Sequence, residues 1–208
     1  MLRPYNLKEV LIIPDSSHHG RRSIRLPGYD YAQPGAYFIT ICTVGKRCLF
    51  GSANDGRVDL TDCGAIIEEC WLAIPRHFPL VQLDEHVVMP NHLHGVILIS
   101  HERVDPCRGE AFAHQTDDYR QAGEQMLRPY TPTDRPSGTS PNSLGAIIQN
   151  FKSVTTRKIN KTESAQTASL WQRNYYEHVI RSEHSLDEIR QYIAANPWNW
   201  ERDEYHMP

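Results

Sequence analysis

The chain has 208 residues, of which 39% are hydrophobic and 23% are charged, and its formal net charge is −3. These values are typical of one globular domain of ordinary size, and they exclude a protein coated in positive potential. No apolar stretch approaches the roughly 20 residues of a membrane span, and no secretory signal is evident, which predicts a cytoplasmic protein. Five cysteines without a CxxC pair indicate neither a zinc knuckle nor a disulfide framework.

The positive charge is unevenly distributed along the chain. Residues 1–26 hold five basic and two acidic residues, and residues 141–181 hold six basic and two acidic residues. Residues 102–124 between them hold three basic and six acidic residues. Two basic segments can bind a polyanion, but clusters of this size are more often solvated surface, so charge alone leaves both interpretations open. We predict that the irregular residues 1–34 form a basic N-terminal arm.

The first regular elements are predicted from alternating and helical apolar spacing. A hairpin is predicted from a strand over Ala36–Thr43, through a turn at Gly45, to a return over Cys48–Phe50. Thr61 is a suitable N-cap for a helix that ends near Pro75, because the apolar residues between them keep helical spacing.

Two further strands follow, with the sequences LVQLDEHVVM and HLHGVILI, joined by a tight Pro90–Asn91 turn. Residues 101–141 keep no hydrophobic period and are rich in Pro, Gly, Ser, Thr and charged residues. This composition predicts a flexible insertion.

The last third of the chain predicts a helix, an extended segment and a second helix. The first helix begins at Ser143 and carries an apolar stripe to Ile159, and LWQRNYYEHVIR is extended. The second helix opens with the capping box of Ser185 and Glu188 and stops at Pro197, before a tail over residues 201–208. Two helices on one side of antiparallel strands, without a βαβ repeat, predict an α+β fold whose central antiparallel sheet is flanked by helices.

His92 and His94 lie one residue apart in an otherwise apolar strand, so both imidazoles project from the same face. Two buried imidazoles need partners for four ring nitrogens, and one divalent cation can take two of them. Zinc would require further nitrogen or sulfur ligands, and no cysteine is suitably placed. The alternative is a pair of core or surface histidines, and the HxH pattern alone favours that alternative.

Tyr192 and Asn196 lie four residues apart on one flank of the last helix, beside an apolar stripe. The spacing alone favours a half-buried tyrosine and an asparagine that ends the helix. The four polar residues together indicate a site, to which the last helix can contribute a third metal ligand.

The segments MPNHLHGVILI, SLGAIIQNFKSVTTRKIN and LWQRNYYEHVIRSEHSLDEIRQYIAANP, preceded by GAYFITICTVGKRCLFG, closely resemble the REP-associated tyrosine transposases. These are relatives of the single-tyrosine HUH transposases, named for two histidines around a hydrophobic residue. The resemblance covers roughly residues 21–100 and 141–200. It implies a ferredoxin- or RRM-like fold over residues 35–200, with Tyr192 as the nucleophile and Mg²⁺ or Mn²⁺ held by His92, His94 and Asn196. Insertion-sequence relatives usually have glutamine at the position of Asn196.

The resemblance also implies a reaction and a partner. It implies a nucleoid-associated monomer or homodimer that cleaves and rejoins single-stranded REP-like hairpin DNA through a 5′-phosphotyrosine. Single-stranded DNA is bound by basic grooves and stacking aromatic rings. The candidate DNA-binding residues are Arg21, Arg22, Arg25, Lys152, Arg157, Lys158, Trp171, Arg173, Tyr175 and Tyr176. The alternatives are a catalytically silent protein that binds the hairpin and a metal-dependent hydrolase of small phosphoesters.

Overall fold

The computed structural model describes residue 26 and residues 28–101, 140–162 and 169–206. Within these residues no helix is long and apolar enough to cross a membrane. Two 3₁₀ segments, Val44–Lys46 and Asn196–Arg202, accompany the regular elements. The strands and helices in chain order are β1 (Gly35–Cys42), β2 (Gly51–Asn54), β3 (Arg57–Leu60), α1 (Asp62–Leu72), α2 (Ile74–His77), β4 (Val81–Val88), β5 (His92–Ile99), α3 (Leu144–Lys161), β6 (Tyr176–Ile180) and α4 (Glu183–Ala195).

A four-stranded antiparallel sheet with the order β4-β5-β1-β6 forms the centre of the fold. β1 and β5 pair along their whole length, from Gly35 opposite Ile99 to Cys42 opposite His92. The turn predicted at Pro90–Asn91 joins β4 to β5, and the amide of Met89 donates to the carbonyl of His92 across it. The predicted α+β class with a central antiparallel sheet is confirmed.

The hairpin predicted after β1 is wrong. β1 pairs with β5 on one edge and β6 on the other, residues 48–50 lie outside any strand, and β2 pairs with β3 in a separate two-stranded sheet. All eight residues of β1 are buried, so this strand is central and takes both partners from distant parts of the chain. A local turn signal such as Gly45 carries no information about such long-range pairing.

Helices cover both faces of the sheet, whereas the sequence predicted helices on one side. α1 and α3 pack in a core cluster with the side chains of Leu93, Ile97 and Ile99 from β5. The alternate β5 residues Val96 and Leu98 pack against α4 on the opposite face. Side chains alternate along a strand, so the apolar run of β5 supplies both cores and places His92 and His94 on the α4 face.

The helix starts depend on serine and threonine caps. Thr61 Oγ1 accepts a hydrogen bond from the Gly64 amide at 3.2 Å, as predicted, and Ser143 Oγ accepts one from the Ala146 amide. The predicted cap of the last helix is wrong, because Ser182 Oγ accepts from the Ser185 amide and α4 begins at Glu183. Two serines three residues apart both fit a capping pattern, and the extended backbone of Ser182 marks the true start.

Gly95 lets the ring of Trp71 lie directly on β5. A Cβ atom at this position would come within 2.4 Å of the Trp71 ring, and both residues are buried. We expect Gly95→Ala to lower the free energy of unfolding by about 2–3 kcal/mol, because overpacking a rigid core displaces its neighbours. Urea denaturation would measure this. If the clash is the cause, adding Trp71→Phe should cost less in the Gly95→Ala background than in the wild type; equal costs in both backgrounds would contradict it.

A bidentate ion pair ties α4 to β4. Arg190 donates to both carboxylate oxygens of Asp84, at 2.7 and 2.6 Å. Burial raises the pKa of Asp84, but the hydrogen bonds from Arg190 and from the Glu85 amide outweigh burial and leave this pKa below its usual value. The pair therefore stabilises the fold above the pKa of an unfolded aspartate, about 3.9, and its contribution is lost as the pH falls through the lower folded value.

We expect Arg190→Met to lower the free energy of unfolding by about 1–2 kcal/mol at pH 7, between the values for exposed and buried pairs. The difference from the wild type should shrink as the pH approaches 3. Urea titrations at several pH values would measure it, with Arg181→Met, at an exposed position, as the control. A difference that stays constant down to pH 3 would contradict the role of the Asp84 carboxylate.

Candidate active site

His92 and His94 lie at the start of β5, beneath α4, with exposed fractions of 0% and 1%. Their rings are 4.4 Å apart between centroids, and their Nε2 atoms are 3.0 Å apart. Burial lowers the pKa of His94 to about 3 and that of His92 well below its usual value. Both imidazoles are therefore neutral at physiological pH, as metal-binding histidines must be.

The neighbours of His92 fix its tautomer. The side-chain amide nitrogen of Asn91, Nδ2, donates to the backbone carbonyls of Lys46 at 3.0 Å and Tyr205 at 2.8 Å. Asn91 Oδ1 must then be the atom that faces His92 Nδ1 at 2.8 Å, so Nδ1 donates the hydrogen bond. His92 Nε2 is left with a lone pair that points at His94.

Thr40 orients the His94 ring through a hydrogen bond to Nδ1, the nitrogen that faces away from His92. Thr40 Oγ1 lies 2.8 Å from His94 Nδ1, and a hydroxyl can accept from this nitrogen as well as donate to it. When Thr40 accepts, the Nε2 atoms of His92 and His94 both present lone pairs. An oriented imidazole whose other nitrogen bonds an outer partner is the usual arrangement of a metal-binding histidine.

Tyr192 extends from the last turns of α4 toward His94. Its hydroxyl lies 3.3 Å from His94 Nε2, and the two rings are 5.2 Å apart between centroids. Burial raises the pKa of this hydroxyl, and the nearby carboxylates of Asp203 and Glu204 raise it further. The local environment without a cation therefore favours the neutral phenol.

Asn196 caps the C-terminus of α4 and is buried beside Tyr192. Burial raises the pKa of the Tyr192 hydroxyl and of the Asp203 carboxyl, and a hydrogen bond from the Asn196 side chain partly offsets this in each. Within the described residues Asn196 Oδ1 has no hydrogen-bond partner. A buried amide oxygen without a partner is a costly group that a cation would satisfy.

Asp203 is a candidate ligand that sequence reasoning missed. One ligand atom each from His92, His94 and Asp203 all lie within 4.8 Å of one another. Asp203 belongs to residues 201–208, which the sequence marks only as a tail after the last helix. Asp203 is one of three acids in this tail, and no pattern distinguishes it from the other two. Its distance of seven residues from Asn196 was the only available signal.

The tail is fixed above the histidines by Tyr205 and Lys46. The Tyr205 ring lies 4.7 Å from that of His92 and 6.0 Å from that of His94, between centroids. Lys46 Nζ donates to the Glu204 carbonyl at 2.9 Å and lies 5.1 Å from the Tyr205 ring centroid. Tyr205 of the tail, Trp200 and Tyr192 thus all contribute to the burial of the two imidazoles.

The residues of this site fit a hard divalent cation. Two Nε2 atoms 3.0 Å apart match the spacing of adjacent ligands around an octahedral ion with bonds of about 2.1 Å. Asn196 Oδ1 and the Asp203 carboxylate offer oxygen atoms, the type of ligand that magnesium and manganese prefer. Cys42 lies opposite His92 in the sheet, but burial raises the pKa of its thiol to about 12, so it is not a thiolate ligand at neutral pH. Mixed nitrogen and oxygen donors of this kind do not favour a closed structural zinc site.

The candidate DNA-binding residues fall into several places. Lys152, Arg157 and Arg173 line one cleft beside α3, together with the buried Trp171. Lys158 instead pairs with Glu69 of α1 at 2.9 Å.

The two candidate tyrosines lie on different sides of the sheet. Tyr175 packs with the core on the α1 and α3 side, where Lys152 Nζ lies 5.5 Å from its ring centroid. Tyr176 packs with the α4 cluster, and its ring is 6.2 Å from that of Phe38. Arg21, Arg22 and Arg25 lie outside the described residues, as do residues 102–139 of the predicted insertion.

Three comparisons with known proteins bear on the family and the fold of the chain. A family model described as IS200-like transposase matches residues 138–196, which include Tyr192 and Asn196. An uncharacterized protein of Haemophilus influenzae is 38% identical over 189 residues, covering 91% of this chain and 94% of that protein. The structure of a REP-associated tyrosine transposase bound to a REP hairpin shares the fold, with a TM-score of 0.50 and 15% identity over 85% of this chain and 72% of that chain. The chain belongs to the IS200-like transposase family.

Proposed function

We propose that the protein is a metal-dependent, single-tyrosine DNA endonuclease and strand transferase that acts on hairpin-forming, REP-like single-stranded DNA. One observation carries the proposal: the Tyr192 hydroxyl lies 3.3 Å from His94 Nε2, which is itself 3.0 Å from His92 Nε2. A potential nucleophile thus adjoins two neutral imidazoles that converge on one point, in a chain of the IS200-like transposase family.

The proposed metal ligands are His92 and His94, with oxygen ligands from Asn196 and Asp203. A bound Mg²⁺ or Mn²⁺ would polarise the scissile phosphate and offset negative charge in the site. Thr40 and Asn91 orient the two imidazoles through their Nδ1 atoms. The protein thereby holds both ring nitrogens in place before substrate arrives.

Tyr192 is the proposed nucleophile. Its phenol attacks the phosphorus, a new bond forms between the tyrosine oxygen and phosphorus, and the bond to the 3′-oxygen of the preceding nucleotide breaks. The phenol loses its proton, and the departing 3′-oxygen gains one. The product is a 5′-phosphotyrosine and a free 3′-OH, and the reverse attack by another 3′-OH rejoins DNA without an outside energy source.

The substrate class is supported by charge and fold. Basic side chains cluster beside α3, where an anionic strand can bind. The structurally similar REP-associated transposase was solved with a REP hairpin, and the proposal extends this class of substrate to the present chain.

A carboxylate from the tail should strengthen metal binding. We expect Asp203→Asn to weaken Mn²⁺ binding by about 10-fold or more, because it removes the carboxylate that, among the described residues, groups with the two histidines as a candidate ligand. Isothermal titration of the purified protein with MnCl₂ would measure this. Glu204→Gln, at an exposed neighbouring position, is the matched control and should bind Mn²⁺ like the wild type. Equal affinities for Asp203→Asn and the wild type would exclude Asp203 as a ligand.

The proposed function is tested by trapping the covalent intermediate. The wild-type protein is incubated with a hairpin oligonucleotide labelled at its 3′ end, the end that stays with a 5′-phosphotyrosine, and Mn²⁺, and the products are separated on a denaturing gel. We expect a labelled band at the mass of the protein plus the DNA fragment, which disappears with EDTA. Hairpin binding without an adduct would favour the catalytically silent binder. Hydrolysis of small phosphoesters without any adduct would favour the hydrolase.

A further inference from the structure

A cleft of about 390 Å³ lies between α3 and residues 169–173, which precede β6. It is open to solvent. Its lining residues are Lys152, Ser153, Thr156, Arg157, Ser169, Leu170, Trp171, Gln172 and Arg173. Three of these carry positive charge, none is acidic, and serine and threonine hydroxyls add neutral donors. The lining therefore has the chemistry of an anion-binding surface.

The three basic side chains of the cleft make different contacts. Lys152 Nζ donates to the carbonyls of Gln172 and Asn174 at 2.9 and 3.0 Å, and burial lowers its pKa to about 8. Lys152 thus fastens residues 172–174 to α3 and forms the wall of the cleft.

The two arginines are exposed at the cleft. Arg157 and Arg173 are both exposed, and no carboxylate among the described residues pairs with either of them. The Arg157 Nε donates only to the Ser153 carbonyl, at 3.3 Å, which leaves its other N–H groups available. A guanidinium presents a planar fork of donors that matches the oxygen atoms of a phosphate.

Lys158, the next basic residue on α3, points toward α1 and not into the cleft. Lys158 follows Arg157 directly in the helix, yet its Nζ binds the Glu69 carboxylate of α1 at 2.9 Å. Consecutive helical residues point about 100° apart, so the two side chains lie on different sides of α3. Only Arg157 of this pair lines the cleft.

The wall of the cleft leads to the candidate active site. The amide of Gln172 donates to the carbonyl of Cys42, which lies opposite His92 in the sheet. Tyr176 lies opposite Thr40, whose hydroxyl binds His94. Arg173 and Tyr176 are three residues apart, so their Cα atoms are separated by at most about 10 Å. A single strand of DNA that crosses residues 173–176 therefore passes from the cleft to the neighbourhood of Tyr192.

We infer that Arg157 and Arg173 form a phosphate-binding subsite for the single-stranded DNA that runs to Tyr192. This inference rests on the proposed function and specifies the path of its substrate. The subsite binds backbone phosphates next to the hairpin, so it contributes affinity for any sequence of the single-stranded part.

The test compares Arg157→Gln/Arg173→Gln with Lys158→Gln. Fluorescence anisotropy measures the binding of a labelled hairpin with single-stranded extensions on both sides, without divalent metal, over a series of NaCl concentrations. For the double variant we expect the slope of log K against log [NaCl] to flatten by about 1.4, since each phosphate contact on a single strand contributes about 0.7. Its affinity at low salt should fall by about 10-fold or more. Lys158→Gln should keep the wild-type slope, and a hairpin without extensions should bind the wild type and the double variant equally.

Two results would overturn the subsite. One is a double variant that binds the extended hairpin with the slope and affinity of the wild type. The other is an equal loss in Lys158→Gln, which would indicate a general effect of charge. A wild-type protein that binds no hairpin DNA would instead overturn the proposed function itself. The two failures are thus distinguishable in one experiment.

Discussion

Tyr192→Phe should abolish the covalent protein–DNA adduct and leave hairpin binding within about threefold of the wild type. The substitution removes the hydroxyl oxygen that would attack the phosphate and keeps the ring that packs with the α4 core cluster. The adduct is scored on a denaturing gel, and binding is scored by anisotropy with the same hairpin.

Tyr205→Phe and Tyr176→Phe are the informative controls, because both rings also lie near the histidines or near Tyr192. Both variants should still form the adduct. An adduct in Tyr192→Phe that disappears in one of the controls would move the nucleophile to that tyrosine.

His94→Ala should weaken Mn²⁺ binding and adduct formation by at least about 100-fold. Loss of a residue that only orients a metal ligand costs up to about 100-fold, and loss of the ligand itself should cost at least as much. The substitution removes one of the two converging nitrogens and also the neighbour of the Tyr192 hydroxyl. Mn²⁺ binding is measured by titration calorimetry and adduct formation on a gel. His77→Ala, at an exposed position in α2, should match the wild type in both.

Raising the Mn²⁺ concentration should restore His94→Ala only in part, because the lost ligand cannot be replaced in the same geometry. Full wild-type activity of His94→Ala, or full activity of the wild type in EDTA, would contradict the metal assignment.

The histidine strand was predictable because its signal is local. Alternation along β5 places His92 and His94 on one face, and the Tyr192–Asn196 spacing places both on one flank of α4. The structure brings these four residues together through the packing of α4 on β5. The resemblance to HUH transposases predicted that the two pairs would lie together. The spacing within each pair did not predict it.

The remaining features depend on contacts between distant segments. The second partner of β1 is β6, about 140 residues further along the chain, and no local pattern in GAYFITIC identifies it. Asp203 reaches the histidines only because the 3₁₀ segment Asn196–Arg202 turns the chain back over β5. Lys152 and Lys158 both look like DNA contacts in the sequence, yet one binds backbone carbonyls and the other binds Glu69.

The residue that carries the DNA in the covalent adduct identifies the nucleophile. The adduct formed by the wild-type protein with hairpin DNA and Mn²⁺ is digested with a nuclease and a protease, and the modified peptide is sequenced by mass spectrometry. We expect a nucleotide joined through its 5′-phosphate to Tyr192, in a peptide from α4. A nucleotide on any other residue, or a 3′-phosphate linkage to Tyr192, would contradict it.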